Sequence, residues 1–161
     1  MTLKLIGSFS IFLVAVAVAV RGGAVMRERV AQLEGFLLLL RHIRDEIACF
    51  RTPAPEILRG FREAALERAG FREAVACGDM AAALLAVRER LYLDDGEWQA
   101  LTEFAAGLGH GYVSEELSRC ELAISRLSAA LAARREALPR TGRLFRTLLF
   151  CGTFAVILVL L

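Results

Sequence analysis

Uncharged apolar residues gather at the two ends of this chain. One run extends from Leu5 to Val20 and another from Thr147 to Leu161, and everything between them is charged and amphipathic. The first run holds 16 residues between Lys4 and Arg21. That is slightly short of the ~20 residues that cross a bilayer as a helix, and snorkelling of the flanking cations supplies the missing turn. A charge at mid-membrane costs about 2.5–3.5 kcal/mol on insertion scales, so two charge-free runs predict two transmembrane helices, at 3–21 and 143–161. Residues 14–20 read VAVAVAV, an alternation that suits a strand. An isolated strand cannot satisfy its backbone in lipid, and a helix can.

Between the runs the apolar spacing is helical throughout. Leu33, Phe36, Leu40, Ile43, Ile47 and Phe50 recur every three or four residues, which predicts one long helix continuous with the first apolar segment. It stops at Thr52-Pro53-Ala54-Pro55, where Thr52 is placed to cap a second helix, the prolines suit its first turn, and Glu56 meets its positive end. That second helix turns Ile57, Phe61 and Ala65 inward and closes at Gly70. A short helix from Phe71 to Cys77 follows, then a stop at Gly78 and a cap at Asp79. Met80, Leu84, Val87 and Leu91 form the next apolar face. Asp94-Asp95-Gly96 opens a helix whose inner face is Trp98, Leu101, Ala105 and Leu108.

The stretch Gly107-Leu108-Gly109-His110-Gly111 predicts a turn, and Ser114 is the expected cap of a last long helix with the seam Leu117, Cys120, Ile124, Leu127, Leu131 and Leu138. Pro139 and Gly142 predict a hinge before the second apolar run. No segment alternates with period two. The expected fold is therefore all-α: an antiparallel bundle of about five to six helices at 22–140, flanked by N- and C-terminal transmembrane helices, with the two long seams pairing side by side.

Charge gives the arrangement a direction. Arg21, Arg27 and Arg29 follow the first run, and Arg134, Arg135, Arg140, Arg143 and Arg146 precede or open the second, all on the side of the middle domain. The positive-inside rule then places that domain in the cytoplasm, and the same arginines attract anionic headgroups. An alternative reading takes the first run as a signal peptide, with small residues at Ala17 and Ala19, which would leave an exported, tail-anchored helical adaptor. The basic cluster just past the run opposes export.

Hydrophobic residues make up 57% of the chain and its mean hydropathy is +0.51, values that the two end runs account for. A net charge of +2 gives no footing for nucleic-acid binding. Cys49, Cys77, Cys120 and Cys151 show no CxxC pairing, which excludes a zinc or disulfide framework and leaves small apolar fillers as the expectation.

Candidate chemistry is sparse. No phosphate-binding, zincin or nucleophile-elbow motif occurs, and His42 and His110 lie far apart. His42 reads as a helix-surface group and His110 as part of a glycine turn. The acidic pairs Asp45-Glu46, Asp94-Asp95 and Glu115-Glu116 read as caps and solvated faces. Trp98, the single tryptophan, is expected in the core. No catalytic residue, metal site or cofactor is expected, and the chain reads as non-enzymatic.

Particular stretches carry a resemblance. LKLIGSF at 3–9, EIACFRTP at 46–53 with Glu56 after it, the pair Leu108-Gly109, and TGRLFRTLLFCGTFAVILVLL at 141–161 together resemble the stage III sporulation protein AB family. The resemblance covers nearly the whole chain. It implies a component of a mother-cell membrane complex in an endospore-forming bacterium, which helps build a channel to the forespore. It further implies a helical domain similar to the cytoplasmic domains of the type II secretion platform protein, and a secretion-type ATPase of the same complex as partner beside other channel components, with homo-oligomers also possible.

Glu46, Thr52, Pro53 and Glu56 match the family's acidic-then-TP turn, and Arg143, Leu144 and Arg146 match its basic approach to the last anchor. The family usually carries Asp and then Gln after the Leu-Gly pair, where this chain has Tyr112 and Glu116. The turn formed by Leu108, Gly109, His110, Tyr112 and Glu116 is the expected partner contact.

Overall fold

The structure, a computed structural model, describes the backbone of residues 2–50 and 52–160 and the side chains of residues 21–50 and 52–136. Among these the chain is all-helical, with seven α-helices and no strand. The helices are α1 (Thr2–Cys49), α2 (Ala54–Gly60), α3 (Ala64–Arg68), α4 (Phe71–Ala74), α5 (Met80–Val87), α6 (Asp95–Gly107) and α7 (Val113–Leu160), and short 3-10 turns follow α4 and α5. The backbone groups into two compact units: Glu28–Ala133, and Met1–Arg27 together with Arg134–Leu161.

No helix among the described residues is long and apolar enough to cross a membrane. The two runs expected to do so lie outside the residues whose side chains are described, apart from Arg21. Their backbone is helical and unbroken with the rest of α1 and α7. The hinge expected at Pro139 and Gly142 is therefore corrected, since α7 continues through both. A proline inside a helix removes one backbone hydrogen bond, which bends the helix without having to end it.

The core of the Glu28–Ala133 unit is built on the two predicted seams. Leu33, Phe36, Leu40, Ile43 and Ile47 of α1 and Cys120, Leu127 and Leu131 of α7 are all buried, in one cluster with Ile57, Leu66, Phe71, Met80, Leu84, Val87, Leu91 and Leu101. Each fully buried Leu, Phe or Met is worth ~1.5–3 kcal/mol of transfer from water. Phe36 meets Phe71 of α4 edge to face, with centroids 5.4 Å apart, the arrangement that the ring quadrupoles favour. Arg44, near the end of α1, lies within electrostatic reach of Cys120 and Glu121, near the start of α7. The start of α1 shares a compact unit with the end of α7. That order is the one an antiparallel pair requires.

The short helices are seated by specific polar contacts. Gln32, buried in α1, donates from Nε2 to the Arg90 carbonyl (3.2 Å) and accepts from the Tyr92 N–H (2.8 Å), so one amide satisfies the chain where it leaves α5. Arg68 of α3 pairs with Glu28 of α1 at 3.2 Å. Asp79 caps α5 as expected, accepting from the N–H groups of Ala81 and Ala82. Gly78 before it sits at φ +80°, where a β-carbon would approach Pro55 Cβ to 2.7 Å. Asp94 and Glu97 form a capping box at α6, the Glu97 carboxylate accepting the Asp94 N–H at 2.9 Å.

Several expectations need correction. The second helix is two helices, because Phe61 is extended (φ −75°, ψ 136°) and ends α2 after Gly60. Phe61 is accordingly half-buried, with Ile57 and Ala65 buried as expected. Phe50 is 75% exposed because α1 ends one residue before it. Trp98 is half-buried under the Arg88 guanidinium, 5.0 Å from the ring centroid, and Ala100 and Phe104 take its place in the core. Leu108, Leu117 and Ile124 are also only half-buried. Ser114 does not cap α7, which begins at Val113, with the Tyr112 carbonyl accepting from the N–H groups of Glu115 and Glu116.

Candidate functional site

The residues singled out in the sequence fall into three places. Of the arginines flanking the apolar runs, Arg21 and Arg27 are exposed. Arg29 instead turns onto the domain, its guanidinium 6.0 Å from the Tyr92 ring centroid, and its Nε is buried without a hydrogen-bond partner. Arg140, Arg143 and Arg146 lie outside the described side chains.

The second place is the break after α1. Thr52 does not cap α2, whose N-cap is Pro53, and no side chain bonds to that helix end. The Thr52 hydroxyl donates instead to Glu46 Oε2 at 2.8 Å, bridging back over the last turn of α1. Proline at the cap leaves the hydroxyl free for this because it fixes an extended backbone. Glu46 and Thr52 are therefore brought together, while Glu56 stays exposed in the first turn of α2.

The third place is the turn between α6 and α7. Gly109 adopts φ +84°, a left-handed conformation that glycine takes without strain. Its N–H donates to the Glu116 carboxylate at 2.7 Å, and Arg119 Nη1 donates to the Gly107 carbonyl at 3.0 Å. Glu116 thus braces the turn from within. The turn is held from both sides of its base, and its apex carries Tyr112, 81% exposed, beside exposed Val113 and His110.

The second and third places lie at the same end of the α1–α7 pair. Arg44 reaches Cys120 electrostatically. Phe50 lies about 9 Å beyond Arg44, and Val113 about 10 Å beyond Cys120 in the same direction, at 1.5 Å per residue. Two exposed apolar turns, at Phe50 and at Tyr112, therefore face outward together. Two exposed ion pairs lie on these helices. Arg126 of α7 meets Glu103 of α6 at 2.8 Å, and hydrogen bonds from Gln99 and then Arg126 hold the Glu103 carboxyl below its ordinary pKa. Two hydrogen bonds to Asp45 raise the Arg44 guanidinium above its usual value.

The model of the family described as stage III sporulation protein AB matches residues 4–161. The chain belongs to the stage III sporulation protein AB family. No curated protein and no solved structure matches it. Membership ties the chain to stage III of sporulation. In this family member Glu116 serves the turn's own backbone, whereas Tyr112 stands exposed.

Among the described residues no group of three or more His, Cys, Asp or Glu is placed to hold a metal. His42 stacks at a tilt on Phe61, centroids 5.7 Å apart. Cys49 and Cys77 are exposed, which corrects the expectation of buried fillers, and Cys120 is buried. Burial pushes the Cys120 thiol up to about 11, so it is protonated and inert at neutral pH. Sequence reasoning missed Gln32 and the break at Phe61. Gln32 lies one turn before Phe36 on the apolar stripe, and its polar side chain in that position is the signal that pointed to a buried partner. The break has only Gly60 to announce it.

Proposed function

We propose that the chain is a non-enzymatic platform of a sporulation channel complex. Its two long helices anchor it in the mother-cell membrane at 3–21 and 143–161, with the bundle in the cytoplasm. The bundle's outward turns dock the complex's own secretion-type ATPase, in the manner of the type II secretion platform protein. Family membership, the charge-free ends and the arginines on the domain side support the anchoring and its direction. The observation that carries the docking is the braced turn. Glu116 and Arg119 fix its base while Tyr112 and Val113 stand exposed at its apex, and a rigid exposed aromatic loses little entropy when a partner covers it.

Tyr112→Ala combined with Val113→Ala tests this by co-purification with the ATPase from sporulating cells. Loss of the ATPase at least tenfold, with the protein still in the membrane fraction, is the expected result. Undiminished co-purification excludes the turn as the docking site.

A further inference from the structure

The turn of α1 that follows Glu28 collects cations from three elements. Gln32 pins the 90–92 backbone to α1 through its two hydrogen bonds. That seats the Tyr92 ring beside Arg29, whose guanidinium lies 6.0 Å from the ring centroid. The Arg90 guanidinium crosses to the turn between α3 and α4, with Nη1 2.7 Å from where a Gly70 β-carbon would stand. Arg68, at the end of α3, reaches back to Glu28 at 3.2 Å. Arg29, Arg68 and Arg90 therefore gather at one turn of α1.

Their charge is only partly answered. Arg29 and Arg90 pair with no acidic side chain among the described residues, and Arg29 Nε is buried without a hydrogen-bond partner. Arg29 rests on Tyr92 and Arg88 on Trp98, and an aromatic ring holds a guanidinium in place without neutralising it. Of the carboxylates nearby, Glu28 is taken by Arg68 and Glu67 by Arg72. Glu89, exposed between Arg88 and Arg90, is the remaining acid of residues 68–72 and 88–92. One carboxylate thus stands against three cations that lack an ion pair, and a guanidinium so held suits a phosphate brought from outside.

Position along α1 selects the source of that phosphate. Arg29 follows Arg21 by eight residues on one unbroken helix, about 12 Å at 1.5 Å per residue. Headgroups extend about 5–8 Å beyond the hydrocarbon, and helical side chains lean toward the helix N-terminus, which here is the apolar run. Tyrosine beside them suits the same layer, since its ring and hydroxyl match the two sides of the interface.

We infer that Arg29, Arg90 and Tyr92 form a site for the phosphate of an anionic phospholipid in the leaflet that faces the bundle. The inference rests on the anchoring of 3–21 in a membrane and goes beyond it. Basic residues beside an anchor attract headgroups wherever they fall, whereas this site draws on Arg90 and Tyr92 and so fastens the short helices, through Gln32, to the membrane surface. Copies sharing one membrane present it at one depth.

Native mass spectrometry of the full chain, released from neutral detergent micelles loaded with equal amounts of phosphatidylglycerol and phosphatidylcholine, tests the site. The wild type is expected to retain phosphatidylglycerol about tenfold over phosphatidylcholine. Arg29→Gln with Arg90→Gln should cut that ratio at least about fivefold, the scale of two arginines near a headgroup. Arg41→Gln with Arg62→Gln removes the same charge elsewhere and should leave it unchanged. Arg29→Lys with Arg90→Lys keeps the charge without the planar fork, and an intermediate ratio is expected, which guards against a misfolded glutamine variant.

Equal retention of the two lipids by the wild type overturns the proposal, as does a ratio that the Arg29/Arg90 glutamine variant leaves intact or that the Arg41/Arg62 variant lowers as far. Phosphatidylglycerol stripped off by millimolar inorganic phosphate would reassign the site to a free anion and overturn the lipid reading. Alkaline carbonate extraction of membranes reads the anchoring separately. A chain that stays in the pellet yet shows no lipid preference fails this inference alone, and a chain that is released fails the anchoring and this inference with it.

Discussion

Gln32 shows how one side chain can decide a local structure. Its amide bonds to the Arg90 carbonyl and the Tyr92 N–H together, where the chain leaves α5. Gln32→Ala removes the bonds and leaves both backbone groups without them, at about 1–3 kcal/mol. Chemical denaturation of the variant should show a lower midpoint with an unchanged slope. Cys120 gives a second expectation at this scale. Its folded pKa of about 11 exceeds the 9.0 of an unperturbed thiol, so above pH 9 the unfolded chain gives up a proton that the folded chain retains. Stability therefore falls as pH rises from 9 toward 11. The wild type should lose more stability across that window than Cys120→Ala, measured by denaturant midpoints at each pH. Equal losses would show that the thiol is not shielded. At pH 8 a thiol reagent should modify Cys49 and Cys77 rapidly and Cys120 only on unfolding.

At the scale of elements, the long helices were legible in the sequence and the short ones only partly. The seams of α1 and α7 repeat over four or more turns, and a period sustained that long outweighs any single residue. The caps at Asp79 and Asp94 were legible for the same reason, because the residue types and the spacing agreed. Between Ala54 and Ala74, each helix has seven residues or fewer, too few for a period to show, and Phe61 at the break lies against His42. Thr52 illustrates a competing partner: its hydroxyl was read as a cap and goes to Glu46 instead.

Thr52→Val should cost about 0.5–1.5 kcal/mol by deleting that bond, whereas Thr52→Ser should be close to neutral. Gly78→Ala should cost more than Gly60→Ala. The first combines a left-handed backbone with a 2.7 Å approach to Pro55, and the second meets nothing within 4 Å.

At the scale of the whole molecule, the family and the helical class were readable from the termini and the period of the middle. The outward face was not, because it depends on which turns share an end of the bundle. That required the proximity of Arg44 to Cys120 and Glu121 and the bracing of Gly109 by Glu116, neither of which has a sequence signature. Residues 108–112 do lie in a turn between α6 and α7, and the roles around it divide. Glu116 holds the turn, and Tyr112 and Val113 stand exposed at its apex.

The central claim is that the Glu28–Ala133 unit stands on the cytoplasmic side of a membrane, where an ATPase can reach its turns. Cys49 and Cys77 are exposed in that unit and report its side directly. A membrane-impermeant thiol reagent is applied to a Cys151→Ser variant in intact sporulating cells and in inside-out vesicles made from them. Labelling of Cys49 and Cys77 in the vesicles alone is the result this account predicts. Labelling in intact cells would mean an exported domain and would contradict the topology and the docking together.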